Sequence, residues 1–380
     1  MNRLFIFIVS FIFVLSSFAQ EKETPLTFTN VVKVKTTPVK NQQRTGTCWS
    51  FATTSFVETE ILRMGGPELD LSEMYNARHA YEKKADLYVR FHGKNNFGPG
   101  GQAHDVMNVI RKFGIVPVEV YTGKHYGDTM HNHGELNTIL LGFLDGVIKN
   151  RSGHLTPVWK NAYSAILDIY LGPEPETFTW NGNSYSPASF RDHFHLNPDD
   201  YVELTSYLHH PFYKTFELEV PDNFAHDPYY NIPLDELIDI MKEAVKKGYS
   251  VAWDGDVSEK GFSHKRGLAI LPPKSWAGLS SEEVDSLFKY PDEMAVTPES
   301  RQQGFDNYSS TDDHLMHIVG TVTDETGKTF FVTKNSWGTD RNNYGGYLYM
   351  SEPFVRDKTL AIMVHKDVLP KKLAAKLGIK

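Results

Sequence analysis

The sequence predicts an α+β protein with two lobes, one helical and one built on a β-sheet. Helical periodicity dominates the first third of the chain, and short runs of β-branched and aromatic residues dominate the last third. The region between them, roughly residues 121–300, is rich in Tyr, His, Pro and Asp and has no simple period. Helices that precede a run of strands are typical of α+β folds. We therefore interpret the middle region as a large insertion into a two-lobed core.

The first residues have the pattern of an export signal. Arg3 precedes an apolar stretch at residues 4–15, and small residues precede a possible cut after Ala19. The stretch is too short to span a bilayer comfortably. We therefore expect a signal peptide at residues 1–19 and an exported protein, periplasmic or secreted, with no membrane attachment after the signal is removed. An N-terminal membrane anchor is the alternative.

Three helices are predicted from apolar spacing. The first begins at or just before Cys48 and ends at residues 65–66; its apolar residues on two sides indicate a largely buried helix. The second covers residues 102–113, with a glycine after it, and the third covers residues 233–248, with proline at its first position. Four strands follow, at residues 315–322, 329–334, 347–350 and 359–365, and we expect them to form an antiparallel sheet.

Composition excludes several function classes. The chain of 380 residues has a formal net charge of −8, which becomes −9 when Arg3 is removed with the first 19 residues. This negative balance argues against nucleic acid and acidic membrane as partners. Cys48 is the only cysteine, so no intramolecular disulfide can form and the thiol is available for chemistry.

Cys48 has the surroundings that a reactive thiol needs. A helix N-terminus stabilises the thiolate, and Cys48 lies at the predicted start of a buried helix. Acyl transfer also requires hydrogen-bond donors for the tetrahedral oxyanion. The backbone N–H of Cys48 can be one donor, and the side-chain amide of Gln42 can be another.

A thiol nucleophile also needs a histidine and a group that orients it. His314, at the start of a predicted strand, is the best of the 16 histidines, and His317 is its rival on the opposite face of that strand. Asn335 follows the next strand, where a hairpin would place it beside His314. Trp337 could cover the resulting hydrogen bond from water.

Three short motifs carry a resemblance to a known family. They are Gln-x5-Cys-Trp at residues 42–49, Asp-His at 313–314 and Asn-Ser-Trp-Gly at 335–338. Their order resembles that of the papain-like cysteine peptidases. The long interval between cysteine and histidine, Thr45 three residues before the cysteine, and the segments 211–216, 231–237 and 253–257 resemble the bleomycin hydrolase or aminopeptidase C branch. The similarity covers residues 36–365.

The resemblance implies a papain-like fold, a helical lobe with a central catalytic helix plus an antiparallel sheet lobe, and it implies roles for individual residues. Cys48 would be the nucleophile, His314 the base and then the acid, Asn335 the orienting group and Gln42 an oxyanion donor. Three residues are expected to line the substrate side of the cleft: Gly100, Gly101 and Trp337. No cofactor is implied. A metal at His131–Glu135 and a phosphate loop at residues 98–101 are weaker interpretations of those segments.

The branch also implies an activity. We expect an aminopeptidase that acts on peptides, with a tail at residues 371–380 after a peptidase domain at 41–370 and a polar lead-in at 20–40. If the tail enters the cleft as in that branch, removal of residues 373–380 is expected to raise endopeptidase activity. The alternatives are an endopeptidase with an open cleft and a non-catalytic peptide-binding protein. Ring-like hexamers are known in the branch, so a homo-oligomer is possible by resemblance.

Overall fold

The computed structural model describes residues 26–127, 129–289 and 291–380. The predicted signal segment, residues 1–19, lies outside the described residues. The helices of the described residues are α1 (Cys48–Arg63), α2 (Glu73–Arg90), α3 (Ala103–Phe113), α4 (Gly134–Ile148), α5 (Val158–Leu171), α6 (Pro187–His193), α7 (Leu234–Lys246), α8 (Ser281–Lys289), α9 (Pro298–Asp306), α10 (Glu352–Lys358) and α11 (Lys371–Leu377). None of the described helices is both long enough and apolar enough to cross a membrane.

The strands of the described residues are β1 (Thr29–Lys33), β2 (Phe178–Trp180), β3 (Asn183–Tyr185), β4 (Tyr201–Thr205), β5 (Thr215–Glu217), β6 (Pro228–Asn231), β7 (Val251–Gly255), β8 (Phe262–Ser263), β9 (Leu268–Ala269), β10 (His314–Thr323), β11 (Thr329–Lys334), β12 (Tyr347–Ser351) and β13 (Thr359–His365). Strands β2 and β3 form a separate hairpin. The others form one large sheet in the order β5-β6-β4-β13-β7-β10-β11-β12-β9-β8, with β1 paired to β10.

The predicted α+β class is confirmed, and the sheet is mixed rather than purely antiparallel. Most neighbours are antiparallel, including the β10–β11 hairpin that the sequence predicted. Strand β9 pairs in parallel with β12, and β4 pairs in parallel with β6. Strands β4, β6 and β9 come from the region 121–300, so part of the predicted insertion extends the sheet. Parallel pairing joins segments far apart in sequence, which local patterns do not reveal.

Two large cores lie on the two sides of the molecule. The first is formed under α1 to α6, with Trp49, Phe56 and Tyr81 among its fully buried members. The second lies between the sheet and helices α7, α10 and α11, with Trp253 and Phe331 among its members. These cores correspond to the helical and sheet lobes expected from the sequence.

Helix α1 lies between the lobes and packs along β10. Every residue from Cys48 to Ile61 is buried. This explains why apolar side chains occur on two sides of the helix in the sequence. Its buried Glu58 is compensated by Lys40, whose Nζ lies 2.9 Å from Glu58 Oε1.

Three local expectations differ from the structure. Pro233 lies one residue before α7, which begins at Leu234. Residues 29–33, within the predicted lead-in, form strand β1 and pair with β10. Helix α2 was not predicted, although the Ser72 hydroxyl accepts from the Tyr75 N–H as an N-cap should. Charged and apolar residues are interleaved in this segment, so the helical periodicity of its apolar residues was not recognised in the sequence.

Candidate active site

Cys48 is the first residue of α1, at the end of the helix that faces the edge of the sheet where β10 begins. Thr47 precedes it with φ −107°, and no acidic residue or side-chain cap occupies the first turn. The N-terminal N–H groups and the positive end of the helix dipole therefore remain available to an anion at this point. The backbone N–H of Leu315 also donates to the Cys48 thiol, which places the thiol beside the start of β10.

The loop before Cys48 is held tightly. A Cβ atom at Gly46 would lie 2.6 Å from Pro99 Cγ, so only glycine allows the loop to approach this close. Trp49 Nε1 donates to the Pro99 carbonyl at 3.1 Å. These contacts fix the start of α1 against residues 99–101.

Gln42 is brought to the site by pairing between two loops. Its backbone N–H donates to the Ser336 carbonyl at 2.8 Å, and Asn41 forms an isolated bridge with Trp337. The Ser336 hydroxyl donates to Gln42 Oε1 at 2.6 Å, and Gln42 Nε2 donates to the Thr45 carbonyl at 2.8 Å. An amide nitrogen carries two hydrogens. The side chain is thus clamped at its oxygen while one N–H is left for a ligand.

His314 is paired with Asn335. His314 is the first residue of β10, is 4% exposed, and places Nε2 at 2.8 Å from Asn335 Oδ1. The Ser336 N–H donates to the same oxygen at 2.7 Å, and Asn335 Nδ2 donates to His264 Nδ1 at 3.2 Å. These contacts assign the amide orientation and make Nε2 the protonated nitrogen of a neutral His314. Nδ1 is then the nitrogen that can accept a proton.

Its rival, His317, occupies a different environment. His317 is fully buried, its Nδ1 lies 2.9 Å from Ser55 Oγ, and its ring meets Phe56 edge to face. The structure brings His314 against Asn335 and places His317 within the interface between α1 and the sheet.

Trp337 covers the His314–Asn335 pair. Its ring centroid lies 4.8 Å from that of His314 and 5.1 Å from that of His264. The predicted contact is therefore present. His264 itself was not singled out from the sequence; it lies far from the motifs along the chain, and only the fold brings it here.

Gly100 and Gly101 lie beside the first turn of α1. A Cβ atom at Gly101 would lie 3.0 Å from the Trp49 ring, and the Gly100 carbonyl accepts a hydrogen bond from Lys84 Nζ. Lys84 Nζ also donates to the Gly98 carbonyl at 2.7 Å. Because carbonyl oxygens of this segment point at a lysine, the arrangement does not resemble a loop whose N–H groups hold phosphate.

Burial disfavours an isolated charge on either member of the cysteine–histidine pair. Burial raises the pKa of the Cys48 thiol to about 12, and the carboxylates of Asp312, Asp254 and Asp222 act in the same direction. Burial lowers the pKa of His314 to about 4, against the opposing effect of the Asn335 hydrogen bond. Burial therefore favours the neutral form of each group when the other is neutral.

The segment His131–Glu135 does not assemble as a metal site among the described residues. His133 is buried, with Nδ1 at 3.3 Å from the Tyr81 hydroxyl, and burial lowers its pKa to about 4. The Tyr170 hydroxyl donates to Glu135 Oε1 at 2.5 Å. The two side chains are thus held by different partners.

The two-lobed fold, the cysteine at the start of a buried helix and the His–Asn pair define a cysteine-type peptidase, a hydrolase of papain-like architecture. The chain belongs to the Peptidase C1-like family, whose model matches residues 158–379. The model of the papain family cysteine proteases matches residues 25–79. The first of these matches lies over His314 and Asn335, and the second lies over Gln42 and Cys48.

Named relatives match most of the chain. It is 23% identical over 403 residues to "Cysteine proteinase 1, mitochondrial" of Saccharomyces cerevisiae, covering 94% of this chain and 80% of the relative. It is 23% identical to "Aminopeptidase G" of Lactobacillus delbrueckii subsp. lactis, covering 89% and 83%. It is 21% identical to "Bleomycin hydrolase" of Homo sapiens, covering 92% and 85%. These names agree with the branch that the motifs indicated.

A solved structure supports the same fold. The crystal structure of PepW from Lactobacillus rhamnosus superposes with a TM-score of 0.72 at 21% identity, covering 93% of this chain and 84% of that one. At this identity the likeness concerns the fold alone.

The prediction of an exported protein is wrong. The yeast relatives are named as mitochondrial proteins, and the comparisons include no support for export. The prediction depended on a short apolar run behind one arginine, a pattern that reports only local hydrophobicity. Those residues lie outside the described part of the chain.

Proposed function

We propose that this chain is an aminopeptidase that removes N-terminal residues from peptides through an acyl-enzyme on Cys48. The observation that carries the proposal is the 2.8 Å contact between His314 Nε2 and Asn335 Oδ1, because it leaves His314 Nδ1 as a base next to the strand segment that contacts the thiol. The names of the relatives, aminopeptidase G among them, support the exopeptidase activity.

Acylation begins with the transfer of the Cys48 thiol proton to His314 Nδ1. Each charge alone is disfavoured by burial, but thiolate and imidazolium formed together attract each other strongly in a partly desolvated site. The sulfur then bonds to the scissile carbonyl carbon. The Cys48 N–H and the free N–H of the Gln42 amide are placed to stabilise the oxyanion.

Collapse of the tetrahedral intermediate breaks the C–N bond, and the imidazolium of His314 gives its proton to the leaving amine. A water molecule, deprotonated by His314, then attacks the thioester. The acyl group leaves as a carboxylic acid and the Cys48 thiol is restored. Asn335 holds the ring throughout, and Trp337 shields their hydrogen bond from water.

The C-terminal tail contributes to the second core and not to this site. Residues Lys371–Leu377 form α11, whose Leu373 and Leu377 are buried in that core. Ile379 and Lys380 line a surface cavity of about 450 Å³ with residues such as His104 and Glu203, and none of the four proposed catalytic residues lines that cavity. We therefore propose an exopeptidase specificity that does not depend on a tail in the cleft.

An endopeptidase with an open cleft is the rival. One peptide supplied with a free or an acetylated N-terminus separates the two proposals, with products identified by mass. Stepwise loss of N-terminal residues from the free form, with the acetylated form intact, supports the aminopeptidase. Equal internal cleavage of both forms supports the rival.

Two further predictions from the sequence are kept as proposals. One is the domain division, with a peptidase domain at residues 41–370 followed by a tail. The other is self-assembly, which light scattering of the purified chain would test.

A further inference from the structure

Three carboxylates from distant parts of the chain lie close enough to the reactive thiol for their charges to act on it. They belong to Asp222, Asp254 and Asp312, here called the carboxylate triad, and the charge of each raises the pKa of Cys48. Asp312 lies two residues before His314. Asp254 lies on β7, where it is the Cα partner of Leu315, and Asp222 lies in the loop between β5 and β6. The fold thus brings three carboxyl groups close to a group that must itself become negative.

The triad is incompletely compensated. Gln102 Nε2 donates to Asp312 Oδ2 at 2.7 Å, and Asn96 Nδ2 donates to Asp222 Oδ1 at 3.1 Å. Asp254 is only 3% exposed, and among the described residues neither of its carboxylate oxygens has a partner with full hydrogen-bond geometry, although the side chains of Asp312 and Gln102 lie close enough to shift its pKa. Such a group is costly unless a ligand or a proton satisfies it.

The nearest lysine offsets the triad only in part, since the charge of Lys84 lowers the pKa of Asp222 while burial still leaves that pKa raised. Lys84 Nζ is engaged by the carbonyls of Gly98 and Gly100, and burial lowers its pKa to about 8. Burial raises the pKa of Asp254 to about 8, and it also raises the pKa values of Asp222 and Asp312, so burial favours protons on these carboxyl groups when no cation is bound. An added cation would replace those protons.

The spacing of the three carboxylates indicates which kind of cation they can bind. The triad is not among the described groups whose ligand atoms converge closely enough to hold a metal ion. A primary ammonium group carries three N–H donors and can reach carboxylates that surround it more widely. In a bound peptide substrate, the α-ammonium lies within one or two residues of the carbonyl that the thiol attacks, and each residue spans about 3.5 Å.

Asp222 contacts the segment that packs beside the start of α1. A Cβ atom at Gly100 would overlap the Asp222 carboxylate, with Oδ1 at 2.7 Å, so this carboxylate rests directly on the Gly100 backbone. Gly100 lies in the segment that packs against the first turn of α1.

We propose that Asp222, Asp254 and Asp312 bind the α-ammonium group of the peptide substrate, and that Asp222 closes the cleft to longer N-terminal extensions. This inference rests on the proposed peptidase function. It attributes the exopeptidase specificity to these three residues of the peptidase domain. It also gives the substrate a role in catalysis. A bound ammonium offsets the negative charge near Cys48 and thereby favours the thiolate when a substrate with a free N-terminus is present.

The test compares Asp222→Asn and Asp312→Asn with Asp227→Asn. Asp227 lies in the same loop as Asp222 but bonds to Asn108 Nδ2 at 2.6 Å, and its charge is not among those that act on Cys48. The kcat/KM values are measured for one peptide with a free N-terminus and for the same peptide Nα-acetylated. Alkylation of Cys48 by iodoacetamide and thermal unfolding report whether each variant keeps a folded site.

We expect Asp222→Asn and Asp312→Asn to lower kcat/KM for the free peptide about 10- to 100-fold, as loss of a charged hydrogen bond does, and Asp227→Asn to change it less than about twofold. Discrimination against the acetylated peptide should shrink in both triad variants. If folded triad variants discriminate as strongly as the unaltered enzyme, the carboxylates do not bind the ammonium, while the peptidase proposal stands. If the unaltered enzyme cleaves neither peptide, the peptidase proposal fails and this inference fails with it.

If a triad variant is unfolded, Gly100→Ala supplies a second route to the same question. Its added Cβ must displace the Asp222 carboxylate without changing any charge. It should reduce discrimination between the two peptides. Unchanged discrimination in folded Gly100→Ala would contradict the placement of the ammonium beside Asp222.

Discussion

Asn335 fixes the tautomer of His314 through one oxygen atom. Oδ1 of Asn335 accepts from His314 Nε2 at 2.8 Å and from the Ser336 backbone N–H at 2.7 Å, so it cannot exchange places with the amide nitrogen without losing both bonds. The histidine therefore turns its other nitrogen, Nδ1, outward as a proton acceptor. Every step proposed for the reaction depends on this arrangement.

Replacing Asn335 should separate the positioning of His314 from its charge. Asn335→Ala removes the hydrogen bond, and we expect kcat to fall about tenfold or more with little change in KM. Asn335→Asp keeps an acceptor but adds a negative charge, which raises the histidine pKa from its low value of about 4. The acid limb of kcat/KM should therefore move to higher pH in Asn335→Asp. An acid limb at the same pH in both enzymes would contradict the pairing.

Gln42 should stabilise the transition state through its hydrogen bond to the oxyanion. Removal of one oxyanion donor typically costs about 10²- to 10³-fold in kcat, so Gln42→Ala should show a loss of this size with KM nearly unchanged. Ser336→Ala removes only the hydroxyl that clamps Gln42 Oε1 at 2.6 Å, and it should cost less. Steady-state kinetics on one peptide measures both. A Gln42→Ala enzyme with full kcat would remove Gln42 from the oxyanion site.

His317 should affect stability in acid and leave catalysis intact. Burial lowers its pKa well below 6.5, and its Nε2 has no hydrogen-bond partner within the part of the chain that the structure describes. The unfolded chain binds a proton at this residue below about pH 6.5 while the folded chain does not, so stability falls as pH falls below that value. In His317→Gln this contribution is absent. Urea unfolding at pH 7 and pH 5 should show a smaller acid loss in the variant, by up to about 1.4 kcal/mol per pH unit.

His317→Gln should also hydrolyse peptides at a rate close to that of the unaltered enzyme, because His317 bonds to Ser55 and not to Asn335. A loss of activity as large as that of His314→Gln, in a variant that remains folded, would reopen the choice between the two histidines.

The C-terminal helix should support stability and not specificity. Leu373 is buried in the second core, and Leu373→Ala should lower the free energy of unfolding by about 2–5 kcal/mol. The exposed Lys372 in the same turn is the control, and Lys372→Ala should change it by less than about 0.5 kcal/mol. Cleavage of free and acetylated peptides should keep the same ratio in both variants. A rise in endopeptidase activity on loss of Leu373 would instead support a tail that reaches the cleft.

The local patterns in the sequence located the elements that carry Cys48 and His314. The apolar residues of helix α1 and the glycine that ends it lie within one short segment of the sequence. Strands β10 and β11 are neighbours in the sequence and form a hairpin. Both could therefore be predicted from short stretches of sequence. The motifs also identified Asn335 and Gln42, which the fold brings together through the pairing of Asn41 with Trp337.

The carboxylate triad could not be predicted in the same way. Asp222, Asp254 and Asp312 come from three elements separated by long stretches of chain, and each is an ordinary residue in its own segment. They form a common group only in the folded chain, where burial removes water from around them and the fold brings them close to one thiol. The parallel pairing of β9 with β12 has the same character, since it depends on the arrangement of the whole sheet.

The proposed reaction requires an acyl-enzyme on Cys48. The most direct test is to quench the enzyme with acid during turnover of an aminoacyl ester and to measure its mass. Because Cys48 is the only cysteine, a thioester can form at one position alone. We expect an added aminoacyl mass on the peptide that contains Cys48, and no added mass and no turnover in Cys48→Ala. Turnover that continues in Cys48→Ala, with no adduct on Cys48 in the unaltered enzyme, would contradict it.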